Sequence, residues 1–208
     1  LATGAVSPFE ALTLFVALGL IAVGLATMLN RQAQLLAVVG AGLTIAYPFI
    51  KRWFSIPQFV LGAAFGWAVP MAFAAQTGST PELAWLVFGT ALVWAVIYDT
   101  FYAMVDREDD KKLGVKSTAV LFGEVDLFVI AGLQLAMLVA LVLIGYRAEL
   151  GFWYYFAVVI SAAMMAWHLW LARDRQPAGC FQAFLKNHLI GMVIFIGIVL
   201  HYTFNPVT

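Results

Sequence analysis

Charge is what this sequence has least of: Asp, Glu, Lys and Arg make up 11% of its 208 residues, where an ordinary soluble domain carries about 25%. With 64% hydrophobic residues and a mean hydropathy of +0.96, a water-soluble core is excluded. Cysteine is nearly absent as well. Cys180 alone permits no internal disulfide and no CxxC metal site, so redox chemistry has no support and Cys180 reads as a packing residue. An excess of one sign of charge is also missing. The 11 Lys and Arg balance 11 Asp and Glu, which leaves no overall basic surface for nucleic acid. His168, His188 and His201 lack metal-ligand spacing and read as packing or interface residues. No GxSxG, P-loop or dinucleotide fingerprint is present, so nucleophilic and hydride chemistry have no candidates. The opening LATGAVSP has neither the basic region nor the cleavage site of a signal peptide.

What is abundant is long apolar runs. A hydrocarbon core about 30 Å thick needs roughly 20 apolar residues per spanning helix. Seven segments qualify, near Phe9 to Leu29, Ala33 to Ile50, Ile56 to Ala75, Glu82 to Val105, Val125 to Tyr146, Gly151 to Leu171 and Leu185 to Phe204. Lipid offers no partner for backbone groups, so each is expected to be helical and the fold an all-α, polytopic transmembrane bundle within one domain, residues 1–208. Ser7 with Pro8, Pro57, and Thr80 with Pro81 are expected helix starts. Gly62 and Gly66 form a GxxxG surface for close helix packing. The longest connections are expected from Asp106 to Glu124 and from Ala172 to Phe184.

Alternate connections differ in charge. Lys51, Arg52, Arg107, Lys111, Lys112, Lys116, Arg173, Arg175 and Lys186 fall on one side, and only Arg31 and Arg147 on the other. By the positive-inside rule the first side is cytoplasmic. The sequence YDTFYAMVDREDD, residues 98–110, ends the fourth apolar run on that same side.

Within it, Asp99, Tyr102, Ala103, Asp106 and Asp110 recur at helical spacing, so the three carboxylates share a stripe about 40° wide. Asp99 lies roughly 10 Å deeper along the axis than Asp106. A charge deep in the membrane costs about 2.5–3.5 kcal/mol on insertion scales, and like charges repel, so a cation should compensate them. Oxygen ligands without His or Cys suit Mg²⁺, which is usually held by one or two carboxylates plus phosphate oxygens. The pattern points to a Mg²⁺–diphosphate site. Glu108 and Asp109, off the stripe, read as solvated acids.

YPFIKRW supplies a second group at the end of the second helix. Tyr47 and Lys51 are four apart and share a face. Lys51 and Arg52 either hold diphosphate oxygens or anchor the helix at the interface beside Trp53. Lys112, Lys116 and Ser117 either cap the site or flank it as anchors. A transporter with intramembrane acids is a competing reading, although its acids should sit nearer the midplane. A purely structural subunit leaves the stripe unexplained.

The stretches LATGAVSP, YPFIKRW, IPQFVLGAAFGWAVPMAFAA and YDTFYAMVDREDDKKLGVKSTAVLFG together resemble UbiA-type intramembrane prenyltransferases. The resemblance covers most of the chain and is strongest from Tyr47 to Gly123. It implies a helical bundle in which two aspartate-rich motifs face each other and bind the Mg²⁺–diphosphate of a polyprenyl donor. Asp99, Tyr102, Ala103, Asp106 and Asp110 match its DxxYAxxDxxxD motif, and Tyr47 with Lys51 its YxxxK. The implied catalytic and metal residues are Asp99, Asp106 and Asp110. Tyr47, Lys51, Arg52, Tyr102, Lys112 and Lys116 are the implied substrate contacts. The implied acceptor is 4-hydroxybenzoate, on the route to ubiquinone in the bacterial inner membrane, with homogentisate and naphthoates as alternatives. The family's first motif, of the NDxxDxxxD kind, has no counterpart here. The chain is therefore expected to be a fragment beginning just beyond it, two helices short of the family bundle.

Overall fold

The structure, a computed structural model, describes residues 3–50 and 56–205, except for the Ile50 side chain. Among the described residues, seven segments are long and apolar enough to cross a membrane, as the hydropathy predicts. The first, α1 (Pro8–Thr27), starts at a capping box: the Glu10 amide donates to Ser7 Oγ at 3.2 Å and the Ser7 amide to the Glu10 carboxylate at 2.8 Å. The second is α2 (Arg31–Ile50), which carries Tyr47 near its end. The third was expected to be one helix and is instead two, α3 (Pro57–Gly66) and α4 (Ala68–Thr77), parted at Trp67. Pro70 has no N–H to give the Gly66 carbonyl, so the helical ladder is interrupted there.

The fourth element, α5 (Glu82–Leu113), runs 32 residues, about 48 Å at 1.5 Å per residue. It outruns the hydrocarbon core by several turns. The expected connection from Asp106 therefore begins eight residues later, at Gly114. No Gly or Pro falls between Asp106 and that point, and the last turns are laced by Lys111 to Glu108 at 2.9 Å and Lys112 to Asp109 at 3.1 Å. Gly114, with φ +66°, supplies the left-handed cap. A five-residue helix, α6 (Thr118–Phe122), follows; its capping Ser117 Oγ accepts from the Val120 amide.

After a 3₁₀ turn come α7 (Asp126–Arg147) and α8 (Phe152–Ala172). The connection expected from Ala172 to Phe184 is itself largely helical, as α9 (Pro177–Lys186), and α10 (His188–Phe204) completes the last span after a break at Asn187. Here Pro177 provides the start signal at the first helical position.

The long helix α5 is the axle of the bundle. Its buried residues, from Ala84 to Met104, face α3, α7 and α9 in turn. The GxxxG face does what its spacing predicts: a methyl group on Gly62 would lie 2.8 Å from the Leu92 carbonyl oxygen, and one on Gly66 would lie 3.2 Å from the Phe88 ring. Large apolar side chains that are mostly exposed, such as Phe15 and Leu20 on α1, cover the outside, as a lipid-facing surface requires.

Candidate active site

The acid stripe of α5, continued by its last turns, lines a cavity of ≈ 250 Å³. Asp99, Tyr102, Ala103, Asp106 and Asp110 form its α5 wall. Tyr47 faces them from α2, and Val115, Lys116 and Ser117 close it from the α5–α6 connection. Six of the nine residues expected at the site are thus gathered around one space. Ser117, proposed from sequence as part of a cap, is there too. The cap is fastened directly behind the stripe, where buried Thr118 and Thr100 share a hydroxyl hydrogen bond of 2.9 Å.

Lys112 does not join them. It stands about 200° around the helix from Asp110, largely exposed, and pairs with Asp109 instead. Lys51 and Arg52 lie outside the described residues.

Pro57 and Gln58, from the start of α3, complete the cavity and were not anticipated. Gln58 is 5% exposed, and its Oε1 has no hydrogen-bond partner among the described residues. A buried, unpaired carbonyl oxygen costs about 1–3 kcal/mol, which makes this one a candidate to bind a group in the cavity. The donor set is carboxylate, amide and hydroxyl oxygen, with no His or Cys in the lining, which suits a hard cation. No three Asp, Glu, His or Cys side chains converge into a ready-made metal cage among the described residues. The cause is spacing along the helix, since Asp99 and Asp106 are about 10 Å apart in axial rise. Such a site fits an ion held by one or two carboxylates and completed by phosphate oxygens.

The cavity also has an aromatic border. Tyr102 lies 5.0 Å, centroid to centroid, from Phe184 of α9. Phe184 in turn lies 6.1 Å from Tyr98, and Tyr98 6.0 Å from Trp94. Trp94, Tyr98 and Tyr102 recur every four residues, so one face of α5 leads from the acids into the apolar slab along aromatic rings.

The family model described as UbiA prenyltransferase family matches residues 1–199. The chain belongs to the UbiA prenyltransferase family.

Among its relatives, the 4-hydroxybenzoate octaprenyltransferase of Nitrosococcus oceani is 56% identical over 97% of this chain and 71% of its own length. The enzyme of the same name from Alkalilimnicola ehrlichii is 52% identical over 96% of this chain and 68% of its own. The apo structure of a UbiA homologue from Aeropyrum pernix K1 superposes with a TM-score of 0.82 at 24% identity, covering 95% of this chain and 74% of that one. This last likeness speaks for the UbiA fold.

One ionic group at this end of the UbiA bundle was also not anticipated. Asp126, at the start of α7, is fully buried and ion-paired with Arg107 of α5. Arg175, from the α8–α9 connection, reaches the same carboxylate at 3.0 Å, and the Leu127 amide donates to it at 2.6 Å. Counting charges placed Arg107 and Arg175 on the cytoplasmic face but paired them with nothing. Their partner lies 19 and 49 residues away in sequence, where helix periodicity carries no signal.

Proposed function

We propose that this protein transfers a polyprenyl group from its diphosphate to 4-hydroxybenzoate, the aromatic prenylation of ubiquinone biosynthesis, and that residues 1–208 act as one transmembrane prenyltransferase domain. The observation that carries the reading is the cavity joining Asp99, Asp106, Asp110, Lys116 and the unpaired Gln58 carbonyl at the head of an aromatic path into the bilayer. The acceptor follows from the shared name of the bacterial relatives.

In this reading Asp99, Asp106 and Asp110 would hold Mg²⁺, which when bound would offset negative charge developing on the diphosphate. Lys116 contacts diphosphate oxygens from the cap, and Lys51 and Arg52 are assigned the same task from the end of α2. The allylic C–O bond breaks with its electron pair leaving on the diphosphate. The ring carbon ortho to the phenol hydroxyl then forms the new C–C bond, and its proton passes to the released diphosphate, which restores aromaticity. Tyr102, Tyr98 and Phe184 keep water from the allylic cation and offer it the negative faces of their rings. The apolar side of α5 beyond Trp94 accommodates the isoprenoid tail, which continues into lipid.

Membranes containing the full-length protein are expected to convert labelled 4-hydroxybenzoate and polyprenyl diphosphate to the prenylated acid, and to lose this activity in EDTA. Transfer that continues undiminished without a divalent cation would refute the mechanism. With homogentisate or a naphthoate as acceptor, little product is expected.

The protein is a multi-pass membrane protein. We assign it to the bacterial inner membrane with the cavity on the cytoplasmic face, because nine of its eleven Lys and Arg lie on that side. In a Cys180→Ser background, single cysteines at Gly78 or Arg147 are expected to react with an impermeant thiol reagent added outside spheroplasts. Cysteines at Asp109 or Arg173 should react only after lysis. Labelling at Asp109 from outside would reverse the topology.

A further inference from the structure

The last turns of α5 carry acids and bases at repeated three-residue spacing, and two of the three possible pairs form. Lys111 binds Glu108 and Lys112 binds Asp109. Arg107 and Asp110 have the same spacing in the reverse order, base before acid, and are likewise within reach of one another. They do not pair, because the Arg107 guanidinium is engaged by Asp126 of α7 instead. Neither Asp106 nor Asp110 forms an ion pair with another described residue, although a guanidinium is attached at the position between them.

The arrangement is costly to build. Asp126 has 0% exposure, and the Arg107 Nε is buried without a partner among the described residues. A buried carboxylate of this kind persists only if paired on several sides. Here two guanidinium groups and a backbone amide do so. The same carboxylate ties α5 to the α8–α9 connection, where Arg175 holds φ +52° and also donates to the Glu124 carbonyl.

We propose that Asp126 is a positioning residue for the cation site: it withholds Arg107 from Asp110 and Asp106, so that these carboxylates stay available to a divalent cation and its diphosphate. Asp126 touches neither ligand. Released from Asp126, the Arg107 guanidinium swings to Asp110 at the spacing its neighbours use and competes with the metal. This inference rests on the metal-dependent prenyl transfer proposed above.

The test reads metal binding directly. Full-length protein in detergent is titrated with Mn²⁺ by electron paramagnetic resonance, in the presence of an unreactive prenyl thiolodiphosphate, with the folded fraction measured by size exclusion. Asp126→Asn is expected to weaken Mn²⁺ binding about tenfold or more, the scale seen when a residue behind a metal ligand is changed. The double variant Asp126→Asn with Arg107→Gln should recover binding to within about threefold of the parent, because the competing cation is gone. Unchanged Mn²⁺ affinity in Asp126→Asn, or a double variant no better than the single one, would overturn the proposal. Should Asp126→Asn fail to fold, Arg107→Gln alone decides: affinity at or above that of the parent supports the proposal, and a tenfold loss refutes it. A parent protein that binds no Mn²⁺ with the donor analogue would instead bring down the underlying prenyltransferase reading.

Discussion

Asp106→Asn and Asp110→Asn are each expected to lower prenyl transfer about 10²- to 10³-fold at equal amounts of folded protein. Each exchange removes one negative charge from the cavity wall and leaves the helix almost unchanged in shape. A metal site contributes several kcal/mol of charge stabilisation in the transition state, and each 1.36 kcal/mol is about tenfold in rate. Asp109→Asn is the control. Its carboxylate is largely exposed and bonded to Lys112, about 100° around the helix from Asp110 and outside the cavity. Its loss should change turnover less than about threefold, since an exposed pair of this kind contributes little. Assays at several Mg²⁺ concentrations separate the two classes: the first pair should require more metal, and Asp109→Asn should not. Equal losses in all three variants would mean that the acids act as a diffuse charged surface and that the stripe has no meaning.

That stripe was legible because it lies on a single helix, where spacing alone fixes which side chains share a face. The seven spans were legible for a similar reason, since hydropathy is a local property. What the sequence concealed arises between elements. Gln58 is a polar residue near a helix start, and nothing local says that Asp99 and Asp106 stand opposite it. Phe184 was expected in a connection; it lies instead on α9, against Tyr98 and Tyr102. The fourth apolar span was bounded where its hydrophobicity stops, at Val105, although the helical spacing of the stripe already reached Asp110. Hydropathy reports the thickness of the bilayer, whereas helix length is set by the first true breaker, Gly114. Those eight extra residues carry Asp106 and Asp110 on a continuous helix beyond the end of the apolar run.

Gly62→Val should have the largest effect on stability, and it tests how packing delivers the site. A single methyl at this position would already sit 2.8 Å from the Leu92 carbonyl oxygen and 3.1 Å from the Ala95 methyl. The first of these is backbone in the middle of α5, so neither helix can yield locally. Valine adds two more carbons, and α3 must then move away from α5. Overpacking of this sort costs about 1–3 kcal/mol, occasionally more. Within a bilayer, close contact between helices is a main source of cohesion, which leaves little to compensate the loss. Gln58 stands one turn before Gly62 on the same face of α3, so the displacement carries its carboxamide out of the cavity. The expected result is a clear drop in the thermal midpoint of the detergent-solubilised protein, followed by size exclusion. The fraction that remains folded should show reduced prenyl transfer with a raised requirement for the diphosphate donor. Gly89→Ala makes the matched comparison. It lies in the interior of α5 with nothing within 4 Å of the added methyl, and exchange of an interior helical glycine for alanine favours the helix by up to about 1 kcal/mol. Its midpoint should hold or rise. A Gly62→Val protein that melts and turns over like its parent would show that the approach of α3 to α5 is not what holds the cavity together.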